Sequence, residues 1–121
     1  MNREIKFRGK DCYGKWRYGC LLKSKTNIAI SVPSGNTAIK NYFIEDLTTI
    51  GQYTGLKDSN GVEIYEGDIL RDYGNDIEDW IVSYEDGKFI GTFDNVCEDL
   101  YEIHDMEVIG NIYDGGKKCL V

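Results

Sequence analysis

A single histidine, four cysteines and a crowd of carboxylates are the groups in this chain that could hold a metal or move a proton. His104 stands beside Asp105, the pairing of a general base with the carboxylate that would orient it. Adjacent residues of a strand point to opposite faces, however, so the two side chains are poorly placed to bond, and a surface histidine is the plainer reading. Cys97 precedes His104 at a spacing that carries no meaning for a thiolate pair. The cysteines at 12, 20, 97 and 119 include no pair two residues apart, and one histidine cannot complete a zinc set. All four read as reduced, structural thiols, with Cys20, in the apolar phase of a strand, a small buried hydrophobe. Asp72, Asp76, Glu78 and Asp79 invite a calcium loop. Such a loop needs ligands at alternate positions with glycine at the sixth, and Tyr73 and Gly74 fall in the wrong places, so the stretch reads as a solvated acidic loop. Nucleophile elbows, phosphate-cradling glycine loops and metalloprotease helices have no counterpart in the sequence. The expectation is a protein that is not an enzyme, binds no metal and uses no cofactor.

One constellation has binding chemistry. Arg3, Lys6, Arg8, Lys10, Lys15 and Arg17 surround Phe7, Tyr13, Trp16 and Tyr18. Cations that reach phosphates beside rings that stack on bases are the means by which single-stranded nucleic acid is held, so these six are candidate nucleic-acid contacts. The competing reading buries the aromatics and leaves the basic face wet or paired with acidic residues. Alternation sets Phe7 opposite Lys6 and Arg8, which favours the competing reading. Nine tyrosines suit either a recognition surface or a set of half-buried strand positions.

The charge is unevenly placed. Residues 1–50 hold nine Lys/Arg against four Asp/Glu, a balance of +5, and residues 51–121 hold five against seventeen, a balance of −12. Two such halves attract each other within one chain or between copies, so a homo-oligomer loosened by salt is expected. No apolar run is long enough to span a bilayer, and the N-terminal residues alternate in charge where a secretory signal would be apolar. A length of 121 residues allows one domain, or two very small ones sharing a core.

Strand signals dominate the elements that must position these groups. Ile5 and Phe7 alternate with charged residues, as do Trp16, Tyr18, Cys20 and Leu22, and then Ile28, Ile30 and Val32. Pro33-Ser34-Gly35-Asn36 ends the third run with four turn formers. From Thr37 to Ile50 neither period fits, and a short helix is one reading. Ile64 to Arg71 reads as a strand entered through a Gly67-Asp68 turn or bulge. Residues 80–84 and 89–93 flank Asp86-Gly87, the strongest hairpin signal, and Met106 to Tyr113 forms a last strand closed by Asp114-Gly115-Gly116. Val96 to Ile103 reads as a helical turn capped by Asn95. Internal repeats are not evident. Short strands, tight turns and no strand–helix alternation predict a mainly β chain folded as a small barrel or sandwich. Its expected core is Trp16, Ile30, Ile69, Trp80, Val82, Phe89, Phe93 and Ile112, and Asn60-Gly61 and Asp86-Gly87 are expected at the tips of reversals with positive φ at the glycine.

The run from Ile50 to Leu70, with its QYTGLKD, NG and EIYEGDIL pieces, resembles the signature segment of the YopX family of phage and prophage proteins. Glu4 to Arg8 and Glu107 to Tyr113 extend the resemblance, which is weakest between Trp16 and Thr48. It implies an N-terminal β-rich subdomain over residues 1–49 packed beside an SH3-like barrel over 50–121. The expected role is that of a phage or prophage accessory protein that acts by binding, with a host protein or nucleic acid as partner, in the cytoplasm of the host cell and with no membrane, since neither a spanning run nor a secretory signal is read in the sequence. Two alternatives stay open: a nucleic-acid-associated protein using the basic N-terminal face, and an acidic decoy of a host DNA-binding protein.

Overall fold

The computed structural model describes residues 4–35, 38–74 and 76–114, so the expectations on Arg3, Asn36, Thr37, Gly115, Gly116 and Cys119 lie outside the described residues. The chain is mainly β and divides into two compact units, Met1–Tyr53 and Thr54–Val121. Residues 51–53 carry no charge, so this boundary leaves the sequence partition of +5 and −12 unchanged.

In the first unit β1 (Phe7–Lys10), β2 (Trp16–Lys23), β3 (Ile28–Ser34) and β4 (Ala38–Phe43) lie in the order β4-β3-β2-β1, with the first residues of β5 (Gly51–Lys57) beside β1. β2 changes partner halfway along. Its Trp16 to Gly19 pair with β1, and its Cys20 to Lys23 pair with β3. The change falls at Gly19, where a Cβ would strike the carbonyl oxygen of Ser31. Ile30 and Ile44 are buried, and the bare backbone of Gly9 lets Ile44 and Ile50 approach it closely. The stretch without a period resolves into β4 and one 3-10 turn, Leu47–Thr49, capped by Asp46, whose carboxylate accepts from Thr48 N. A strand exposed on both faces has no alternation to read.

In the second unit the rest of β5 runs beside β6 (Glu63–Tyr65), and β7 (Asp68–Asp72), β8 (Glu78–Glu85), β9 (Lys88–Phe93), β10 (Val96–Asp99) and β11 (Glu107–Asn111) form an antiparallel sheet in the order β10-β9-β8-β7-β11. The β8–β9 hairpin turns on Asp86 (φ 54°) and Gly87 (φ 83°), the double positive φ of a type I′ turn, with Glu85 opposite Lys88. Ile64, Leu70, Trp80, Val82, Leu100 and Ile103 make the core. Leu100 and Ile103 come from the one-turn helix α1 (Leu100–Ile103), which lies over Gly91 of β9, where a Cβ would collide with Ile103. The expected barrel is not formed. No sheet of the described residues closes, because the edge strand β10 turns directly into α1, and the helix, rather than another strand, covers the apolar side. The helical turn expected over Val96 to Ile103 is therefore half strand, and its N-cap is Asp99, not Asn95.

Of the expected core, Ile30, Ile69, Trp80 and Val82 are buried, while Trp16, Phe89 and Phe93 are half-buried. Ile112 is exposed, since β11 ends one residue earlier and Ile112 belongs to the following turn.

A loop device recurs that the sequence did not announce as a repeat. In Asp11-Cys12-Tyr13-Gly14-Lys15 the carboxylate oxygen Oδ1 of Asp11 accepts from Tyr13 N (2.9 Å) and Lys15 N (3.0 Å), Gly14 N donates to Asp11 O, and Asp11 N donates to Lys15 O. In Asp58-Ser59-Asn60-Gly61-Val62 the same four bonds are made: Asn60 N (2.8 Å) and Val62 N (2.9 Å) to Asp58 Oδ1, Gly61 N to Asp58 O, and Asp58 N to Val62 O. Gly14 and Gly61 both sit at positive φ, 75° and 82°. Each aspartate's other oxygen takes one further donor, Arg17 Nε in the first loop and Val108 N in the second. The shared signal is Lys-Asp-x-x-Gly at 10–14 and 57–61, too short to register as a repeat.

Candidate binding surface

The antiparallel register of β1 and β2 sets Arg8 opposite Tyr18 and Lys10 opposite Trp16, so these cations and aromatics share one face, while Phe7 and Arg17 lie on the other. The six candidate contacts nevertheless have different surroundings. Arg8 is buried, with its guanidinium 4.6 Å from the centre of the Trp16 ring, and Lys10 Nζ stands 5.5 Å from the same ring. Lys6 Nζ is 3.5 Å from Glu4 and 5.3 Å over the Tyr53 ring. Arg17 is held by Asp11 at 2.8 Å and stacks 3.7 Å over Tyr42. Lys15 is exposed, and Arg3 lies outside the described residues. A guanidinium as buried as that of Arg8 cannot meet a phosphate, so the five described candidates do not form one accessible surface.

Further along the same unit, a cleft of about 600 Å³ opens beside the β2–β3 loop, lined by Lys23, Lys25, Asn27, Phe43 and Leu47 among others. The loop is fixed by Ser24, whose hydroxyl accepts from Asn27 N and whose N donates to Asn27 O. Leu22, Ala29 and Phe43 form one row across β2, β3 and β4. Ala29 is too small to fill the row, and Phe43 and Leu47 remain 61% and 53% exposed. Among the described residues, Lys23 and Lys25 make no ion pair. Sequence reasoning passed over this site because Phe43 falls in the stretch without a period and the two lysines flank an ordinary turn.

The second unit has a polar cleft of about 420 Å³ whose lining includes Asn60, Arg71, Tyr73, Asp105 and Glu107. Asn60, Arg71, Tyr73 and Glu107 already have partners. Arg71 holds Asp79 through two bonds of 2.7 and 2.9 Å, Tyr73 OH donates to Glu107 at 2.7 Å, and Asn60 Nδ2 donates to the other oxygen of Glu107. The bond to Arg71 holds the Asp79 carboxyl below its ordinary range, and the bond to Glu107 pushes the Tyr73 phenol up. In the acidic stretch, Asp72 accepts from Gly74 N, a turn contact.

His104 does not meet Asp105 as a base. Its Nδ1 lies 2.7 Å from the carbonyl of Lys57, and since a carbonyl only accepts, that nitrogen carries the proton. Cys12, Cys20 and Cys97 are all exposed thiols. The burial expected of Cys20 fails because it stands opposite Ser31 on a face of β2 that its own unit leaves open.

The profile of a protein family described as YopX protein matches residues 6–117. Among solved structures, protein EF1440 from Enterococcus faecalis is similar over 97% of this chain and 99% of its own, at 27% identity and a TM-score of 0.61. No curated protein sequence matches.

Proposed function

The chain belongs to the YopX family, and from that premise we propose that it is a non-enzymatic phage or prophage accessory protein that works by binding in the host cytoplasm. Its recognition site in this reading is the cleft of the first unit, and the partner that fits is single-stranded nucleic acid. One observation carries the proposal: an exposed aromatic ring, Phe43, lies in the same cleft as two lysines without ion pairs. Lysine ammoniums meet phosphates, and an aromatic face accepts a base of any sequence. Binding rather than catalysis is supported by the direction of the titrations at Asp11, Asp58 and Asp79, which are lowered, and at Arg71, Tyr73 and Lys88, which are raised. Each shift moves the group away from neutrality, whereas acid–base catalysis draws a group toward it.

The test is the affinity for a labelled single-stranded oligonucleotide as a function of salt. Binding is expected at low ionic strength and is expected to fall steeply as salt is added, because each phosphate contact releases counterions. Lys23→Glu with Lys25→Glu is expected to abolish it, and Phe43→Ala to weaken it by about 1–3 kcal/mol, the worth of one stacked base. No binding at low salt, with retention instead of a host DNA-binding protein by the acidic unit, would replace this reading with that of a decoy.

A further inference from the structure

Among the described residues, each unit has a strand at the end of its sheet with one edge unpaired: β4 pairs only with β3, and β10 pairs only with β9. All of β4 except Tyr42 is exposed, as are all four residues of β10. The main-chain N–H and C=O groups along such an edge template a further strand unless proline, a bulge or charge prevents it. Neither strand contains proline, and neither pairing shows a register shift. Each edge also presents apolar surface, Ile39 at 71% and Val96 at 46% exposure.

Charge selects the occupant. β4 carries Lys40 in a unit of net +5, and β10 carries Glu98 and Asp99 in a unit of net −12. Pairing β4 with β4, or β10 with β10, sets like charges side by side, which is destabilising across strands. Pairing β4 of one copy with β10 of another sets opposite charges together. Asp99 is already held by Lys88 at 2.7 Å, whereas Glu98 makes no ion pair among the described residues. We infer that copies of this chain assemble head to tail, the β10 edge of one adding to the β4 edge of the next, with Lys40 facing Glu98. Two different patches meet in such a contact, so it builds rings where the rotation closes and open chains where it does not. It goes beyond the proposed nucleic-acid site and uses none of its lysines.

The experiment is light scattering across micromolar protein concentrations at low and then rising ionic strength. Masses above the 13.8 kDa of one chain are expected at low salt, falling toward it as salt is added. Lys40→Glu and Glu98→Lys are each expected to leave 13.8 kDa particles at low salt, and the two reversals together to restore assembly. Both side chains are exposed, so thermal melts of the variants are expected to match the parent and to exclude misfolding as the cause. A variant with Lys23→Glu and Lys25→Glu is expected to assemble normally, which separates this inference from the binding reading. A monomer under every condition, single reversals that leave assembly intact, or a double reversal that stays monomeric would each overturn it.

Discussion

Asp58 places one buried carboxylate among three backbone donors, Asn60 N, Val62 N and Val108 N. Burial pulls its titration upward, but the bonds from Val108, Val62 and Asn60 outweigh it and hold the group below the ordinary 3.8. A depressed value means that the stabilisation is present above the unfolded pKa of about 3.9 and is lost as pH falls through the folded one. Asp58→Asn keeps an oxygen for Asn60 and Val62 but turns an amide N–H toward Val108 N–H, donor against donor. It is expected to cost about 1–3 kcal/mol at neutral pH. The gap from the parent should narrow in chemical denaturation as pH falls below about 4, where the unfolded chain takes up its proton first, and should close once the folded carboxylate is protonated as well. Equal stability of the two proteins at pH 7 would refute the account.

The elements show which features a sequence carries openly. Asp86-Gly87 was legible because a two-residue type I′ turn demands positive φ twice, and few residue types supply it. Gly87→Val is expected to destabilise this hairpin, since a β-branched side chain tolerates positive φ poorly. β4 was illegible because exposure on both faces erases its period, and α1 because a single turn contributes only Leu100 and Ile103 to the core. Gly19 hid a different kind of information. It marks the point where β2 exchanges β1 for β3, which no local pattern encodes. A methyl group there meets main chain rather than a movable side chain, so Gly19→Ala is expected to cost about 1–3 kcal/mol, read as a lowered denaturation midpoint. The cleft beside the β2–β3 loop was lost for the same reason as β4, because Phe43 closes that strand.

Across the whole molecule, charge was the most legible property, for the division at Tyr53/Thr54 leaves the +5 and −12 halves intact. The mainly β class followed from alternation, whereas barrel closure depends on which strands meet at the ends of a sheet, and that is a tertiary fact. With seventeen acidic residues in one unit, net charge vanishes near the sequence pI of 4.6, and a solubility minimum is expected there. Turbidity scanned against pH checks it, and a minimum near neutrality would contradict the formal charge.

The paired Asp-x-x-Gly loops bear on how this protein can vary. Both networks read Asp and Gly by name but ask of the residues between them only main-chain N–H groups, that of the third position in both loops and that of Ser59, which donates to Met106 O, in the second. Cys12 and Tyr13 in one loop and Ser59 in the other are exposed and spell nothing the fold must parse. Such positions behave as blank letters inside a fixed word. Drift should collect there across the lineage, and a dye or an epitope written into them would be carried without altering the sentence around it.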